Sequence, residues 1–140
     1  MRRTIPRRLA GVTILEVLIV LAIIALLAAV VAPRVVGYLG RAQTTTAQTQ
    51  INNLHAAVGF FAIDMGRIPT DAEGLQALFT APASATTWAG PYLGSEGALV
   101  DPWGRDYIYS VTGDAAFTIS SFGRDGREGG SGPDADLVSQ

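Results

Sequence analysis

From Val12 to Ala32 every position is apolar except Thr13 and Glu16, and from Ala47 the pattern becomes periodic: Ala47, Ile51, Leu54, Val58, Phe61 and Met65 recur at spacings of four and three. The first stretch predicts a helix that is apolar all round; at about 1.5 Å per residue it reaches roughly 30 Å, the thickness of a bilayer's hydrocarbon core. The second predicts an amphipathic helix with one buried face. Between them, Pro33 removes a backbone donor and clashes with the preceding turn, and Gly37 weakens helicity, so a break or kink is expected there. Neither residue has to end the helix, which should continue to about Asp64. Gly66 then offers a left-handed cap with Pro69 just beyond.

After this stop the pattern shortens. Thr70 or Asp71 is placed to cap a short helix over Ala72 to Phe79, closed by Pro82. Gly90-Pro91-Tyr92-Leu93 and Asp101-Pro102-Trp103-Gly104 are turn-rich. Tyr107 to Val111 and Ala116 to Ser120 alternate as two strands joined around Thr112-Gly113-Asp114, a hairpin; a third strand is expected nearby without a definite position. The fold class is therefore α+β: a long amino-terminal helix, membrane-spanning in its first half and amphipathic in its second, packed on a small antiparallel sheet that ends in a Gly/Asp-rich loop.

Charge is distributed unevenly. Arg2, Arg3, Arg7 and Arg8 precede the apolar stretch without an acid among them, so the amino end is expected to stay cytoplasmic and the bulk of the chain to lie on the other side. From Ala42 onward four arginines face eleven acids, a net charge of −7, and lysine is absent. No basic stripe exists there to neutralise phosphates, which excludes nucleic acid as a partner. The part beyond the membrane helix is small, and without cysteine it has no disulfide to support a modest core; a metal or assembly is the remaining route.

Glu16 is the one acid in the apolar stretch, where a carboxylate at a helix centre costs about 2.5–3.5 kcal/mol. It is either an interfacial residue hydrated by headgroups or half of a charge pair. An ordinary secretory signal cut near Ala29 to Ala32, or an uncleaved single-pass anchor, would be rival readings of the whole segment.

The segment from Gly11 to Pro33, GVTILEVLIVLAIIALLAAVVAP, resembles the type III signal of the type IV pilin and pseudopilin superfamily. The resemblance implies a peptidase that cuts after Gly11 and methylates the new terminus. Gly11 is then the last leader residue, Val12 the first mature residue in place of the family's usual phenylalanine, and Glu16 the fifth. It further implies that Glu16 meets the free amino group of Val12 in a neighbouring subunit. The organisation that follows is a cleaved leader 1–11, a transmembrane and filament-core helix 12–33, and a periplasmic part 34–140 with its amphipathic helix over 34–64 and its globular part over 65–140. Asp64 to Thr70, Gly74-Leu75-Gln76-Ala77-Leu78, Gly90 to Leu93, Asp101 to Gly104 and the Gly-rich tail resemble, in order, the major pseudopilins of the type II secretion system.

That resemblance implies a homopolymer, the periplasmic pseudopilus, that helps export folded proteins across the outer membrane. Its implied partners are minor pseudopilins, the prepilin peptidase, the inner-membrane assembly platform and, before assembly, membrane lipid. The implied location is the bacterial inner membrane and then the pseudopilus. Two other classes stay open: a type IV pilin of an adhesive or motile filament, although such pilins commonly carry a cysteine-bridged loop, and a membrane-anchored calcium-binding module that never polymerises.

Ser121 to Asp136 holds four acids among five glycines and a proline, which alone reads as a solvated flexible tail or as a calcium loop. It lacks the spacing of the helix-loop-helix calcium motif. The resemblance implies calcium, held by Asp125 and by Asp134 or Asp136, with carbonyl ligands from Phe122 and Arg127. Catalysis finds little support: His55 is a lone imidazole on the amphipathic helix, no cysteine or Gly-x-Ser-x-Gly nucleophile occurs, and Trp88, Tyr92, Trp103 and Tyr107 read as core and turn anchors. The chain is expected not to be an enzyme.

Overall fold

The computed structural model describes residues 12–139. The leader 1–11, with the processing residue Gly11, lies outside the described residues. Helix α1 spans Ile14–Met65, and Thr13 caps its start by accepting a hydrogen bond from the Glu16 amide at 3.2 Å. α1 is continuous through Pro33 and Gly37, so of the break or kink expected there, the break does not occur. A proline costs one backbone bond, and the residues around it have no competing way to satisfy their amides in an apolar setting. By its internal packing the chain divides into a unit ending at Gly37 and one beginning at Tyr38.

In the second unit, Ala47, Ile51, Leu54, Val58 and Phe61 are buried, the face that the four-three spacing marks out, and Ala57 joins them. Gly66, at φ 71°, takes the left-handed cap position and donates its amide to the Ala62 carbonyl at 2.9 Å. The α-helix expected over Ala72 to Phe79 is not formed; a 3₁₀ turn over Leu75–Leu78 stands in its place. Its start signal is real, since Thr70 and Glu73 exchange side-chain and backbone bonds at 2.9 and 3.3 Å, but Gly74 at φ 57° leaves the helical region immediately afterwards. Arg67 fixes the same corner with a bidentate pair to Glu73, 2.7 Å on each arm.

Strands β1 (Ile108–Val111) and β2 (Phe117–Ser121) form the expected hairpin, in register from Ile108↔Ser120 to Val111↔Phe117. The third strand is β3, Leu137–Val138, antiparallel on the other side of β2. The core joins α1 to Leu75, Ala77, Leu78, Leu93, Leu99, Tyr107 and Ile119. Three of the four expected aromatic anchors are tied in by hydrogen bonds, while Trp103 Nε1 has no partner among the described residues: Trp88 Nε1 donates to the Ala77 carbonyl at 2.9 Å, and the Tyr92 hydroxyl donates to Asp64 Oδ2 at 2.7 Å. The Tyr107 hydroxyl donates to Gln50 Oε1 at 2.7 Å, and burial pushes its pKa up. His55 stacks on Phe117, ring centroids 4.7 Å apart, a packing role.

Candidate assembly and metal sites

The first unit presents its large apolar residues rather than burying them. Its most apolar eighteen-residue window has a mean hydropathy of 3.2 with no residue buried, and α1 is long and apolar enough to cross a membrane. Val12, Glu16, Val17, Val20 and Leu21 line one shallow groove of about 220 Å³. Glu16 sits in the first turn, where the helix dipole favours an anion. Its carboxylate has no hydrogen-bond or ion-pair partner among the described residues. The structure thus places Val12 and Glu16 side by side on one chain, with the acid exposed and unpaired among the described residues.

Further along α1, within the second unit, the outward face is unusual for a solvated helix. No charged residue occurs from Ala42 to Ile63, and Phe60 and Ile63 are 60% and 78% exposed. The hydroxyls of Thr44, Thr45, Thr46 and Thr49 donate to the carbonyls four residues back at 2.9–3.0 Å. Covering this face would therefore orphan few polar groups, whereas a face of lysines and glutamates would resist burial.

The Gly/Asp-rich segment is not a free tail. It connects β2 to β3, and the chain returns to the sheet as the Ser139 amide donates to the Ile119 carbonyl at 2.8 Å. Its four acids have different fates. Asp134 is gripped by the Arg124 guanidinium at 2.7 and 2.9 Å, which holds its carboxyl below the usual range and raises the arginine in turn. Asp125 accepts the Arg127 amide at 3.1 Å through one oxygen. Asp136 accepts the Gly129 amide at 2.9 Å through Oδ2, while its Oδ1 is buried with no partner. Glu128 is exposed.

No group of three acidic or histidine side chains converges on a point among the described residues, so a metal here would draw on two carboxylates and main-chain oxygens. Among the described residues, Asp136 Oδ1 is the one buried side-chain oxygen in the loop without a partner, an acceptor that a cation could satisfy. Asp136, with its orphaned oxygen, and Asp125, with one oxygen uncommitted, are the two aspartates of the loop not engaged by Arg124, and the carbonyls of Phe122 and Arg127 belong to the same turn-rich loop. Asp134 is committed elsewhere.

Asp101 and Arg105 escape a reading of the sequence. Asp101 is buried and accepts from the Ser121 hydroxyl at 2.7 Å and from the amides of Trp103 and Arg105 at 3.0 and 2.9 Å. This ties the Asp101-Pro102-Trp103-Gly104 turn to the end of β2 and delivers the Arg105 guanidinium to the loop, where it donates to the Gly123 and Arg124 carbonyls. Asp-Pro at a turn was the available signal; its partner twenty residues away was not.

Residues 34–140 match the family model described as type II secretion system (T2SS), protein G, and residues 6–32 match the prokaryotic N-terminal methylation motif. The type II secretion system core protein G of Xanthomonas campestris pv. campestris is 38% identical over 94% of this chain and 90% of its own. That of Vibrio cholerae is 36% identical over 94% and 91%, and that of Pseudomonas aeruginosa 34% identical over 94% of each. The crystal structure of the major pseudopilin from the type 2 secretion system of enterohaemorrhagic Escherichia coli covers 74% of this chain and 90% of that one, at a TM-score of 0.59 and 24% identity, a likeness of fold.

Proposed function

The chain belongs to the type II secretion system protein G family, and from that premise we propose that it is the structural subunit that polymerises into the pseudopilus, acting by assembly and not by catalysis. The observation that carries this reading is the exposed apolar helix of the first unit, with the exposed acid Glu16 in its first turn, on a chain whose residues 6–32 match the methylation motif. The Arg-rich amino end supports insertion into the inner membrane with residues beyond Pro33 on the periplasmic side. Processing after Gly11 would free the amino group of Val12.

Moving such helices from lipid into a filament core exchanges one apolar surrounding for another, so hydrophobicity supplies little of the driving force. Close packing and pairing of buried charge remain. A carboxylate and an ammonium that are each costly in an apolar setting become tolerable together, and a pair between Glu16 of one subunit and the Val12 amino group of another would fix axial register. The uncharged outward face from Ala42 to Ile63 supports continuation of the same contact beyond the membrane segment. Copies of an acidic unit meet there without like-charge repulsion.

Calcium at Asp125 and Asp136, with carbonyl oxygens of Phe122 and Arg127, would be structural, neutralising two of the three carboxylates that Arg124 leaves free and tying the β2–β3 connection to the sheet. The proposed partners are further copies of this chain, minor pseudopilins, the prepilin peptidase and the inner-membrane platform. The test is the intact mass of the chain extracted from membranes of cells with a prepilin peptidase. A product starting at Val12 and carrying one extra methyl group supports the reading. An unprocessed mass, or a start after Ala29 to Ala32, overturns it.

A further inference from the structure

The β2–β3 loop contains Asp125, Glu128, Asp134 and Asp136, whose mutual repulsion favours an open chain. Cations already built into the protein meet that repulsion. From Arg124, the amide donates to the Pro133 carbonyl at 3.0 Å, while the guanidinium forks onto both oxygens of Asp134, ten residues away. One residue thus closes most of the loop with three bonds, and its planar fork matches the carboxylate geometry. Arg105 approaches from the Asp101 turn, donating to the Gly123 carbonyl and, at 3.4 Å, to the Arg124 carbonyl. Its guanidinium atoms lie 3.0–3.2 Å from where a Cβ on Gly126 would stand, and that residue is at φ 68°. Carbonyl and carboxylate oxygens directed at a cation are what calcium organises in a loop of this kind. Here two guanidinium groups hold part of that set, Arg124 on a loop carboxylate and Arg105 on loop carbonyls while also lying 3.8 Å from the buried Asp101 carboxylate.

We propose that Arg105 and Arg124 are the loop's resident cations, keeping Gly123 to Asp134 closed in the metal-free chain, so that calcium at Asp125 and Asp136 adds to a loop that is already folded. The inference does not depend on polymerisation, and it qualifies the calcium reading without requiring it. The Arg124–Asp134 pair is largely exposed, with side chains 50% and 31% accessible, and exposed pairs add little to global stability. Its effect belongs to local opening of the loop, which amide hydrogen exchange reads separately from unfolding.

The experiment is amide exchange on the full chain in detergent micelles, in EGTA and then in calcium, for the wild type, Arg124→Gln and Arg105→Gln. In EGTA the wild-type loop is expected to be protected. Each variant should exchange several-fold faster over Gly123 to Asp136, with the buried α1 amides from Ala47 to Phe61 unchanged, and calcium should slow the Arg124→Gln loop more than the wild-type loop. Unaltered loop exchange in both variants overturns the proposal. So does a wild-type loop that is unprotected in EGTA and protected only by calcium, an outcome that stands even where a variant fails to fold. A calcium titration that shows no binding to the wild type would end the calcium reading while leaving the arginine clamp intact.

Discussion

Replacing Asp101 by alanine removes a buried carboxylate that accepts three hydrogen bonds, so its consequences can be worked from the structure. The Ser121 hydroxyl is fully enclosed and loses its acceptor, at about 1–3 kcal/mol for an orphaned buried group. The amides of Trp103 and Arg105 are less enclosed and recover water, so they add about half as much between them. The total is about 2–4 kcal/mol, a large share of the roughly 5–15 kcal/mol that holds a domain together. For a unit near 100 residues this lowers Tm by about 10–25 °C. Asp101→Asn keeps one acceptor oxygen and should cost about 1 kcal/mol. The assay is thermal unfolding of the full chain in micelles, followed by the near-ultraviolet signal of Trp88 and Trp103. A loss below about 0.5 kcal/mol for Asp101→Ala, the range of an ordinary surface change, would refute the claim that this residue pins the turn to β2.

The Arg67–Glu73 pair gives a pH dependence of defined sign. The guanidinium holds the Glu73 carboxyl down to about 2 from its usual 4.5, so its stabilisation is complete above about pH 4.5 and lost as pH falls toward 2. Because Arg67 is partly exposed, about 1 kcal/mol is expected rather than the full linkage value. Urea unfolding of wild type and Glu73→Gln should differ at pH 7 and converge near pH 2; a difference independent of pH contradicts this cause. Asp136→Ala should weaken calcium binding measured by titration more than Asp134→Ala does, since Asp134 is held by Arg124, and the reverse order would show that the wrong carboxylate has been assigned.

The long helix was the most legible element, because burial on one face repeats every three to four residues from Ala47 to Phe61 and each of those positions is buried. The hairpin was legible for the same reason, through turn residues between two alternating runs. What the pattern missed was set by single residues or by distance. Gly74 cut a capped helix to one 3₁₀ turn, and Pro33 interrupted nothing because a lone proline loses to the helix on both sides of it. β3 is two residues long, too short for a period to show. Within the loop, composition treats all four acids alike, and only the fork of Arg124 onto Asp134 and the unpartnered oxygen of Asp136 distinguish them. The Asp101–Ser121 and Arg105–Gly123 contacts join residues some twenty positions apart, which no local pattern encodes.

The account rests on exposed apolar helices assembling with Glu16 paired across subunits, and the most direct test is electron microscopy of filaments from cells that carry a type II secretion system and overproduce this chain or its Glu16→Ala variant. The account predicts filaments from the wild type and few or none from the variant, although both are cut after Gly11 and stored in the membrane at equal levels. A processed wild-type chain that stays dispersed in the membrane, or a variant that builds filaments as readily as the wild type, would contradict it.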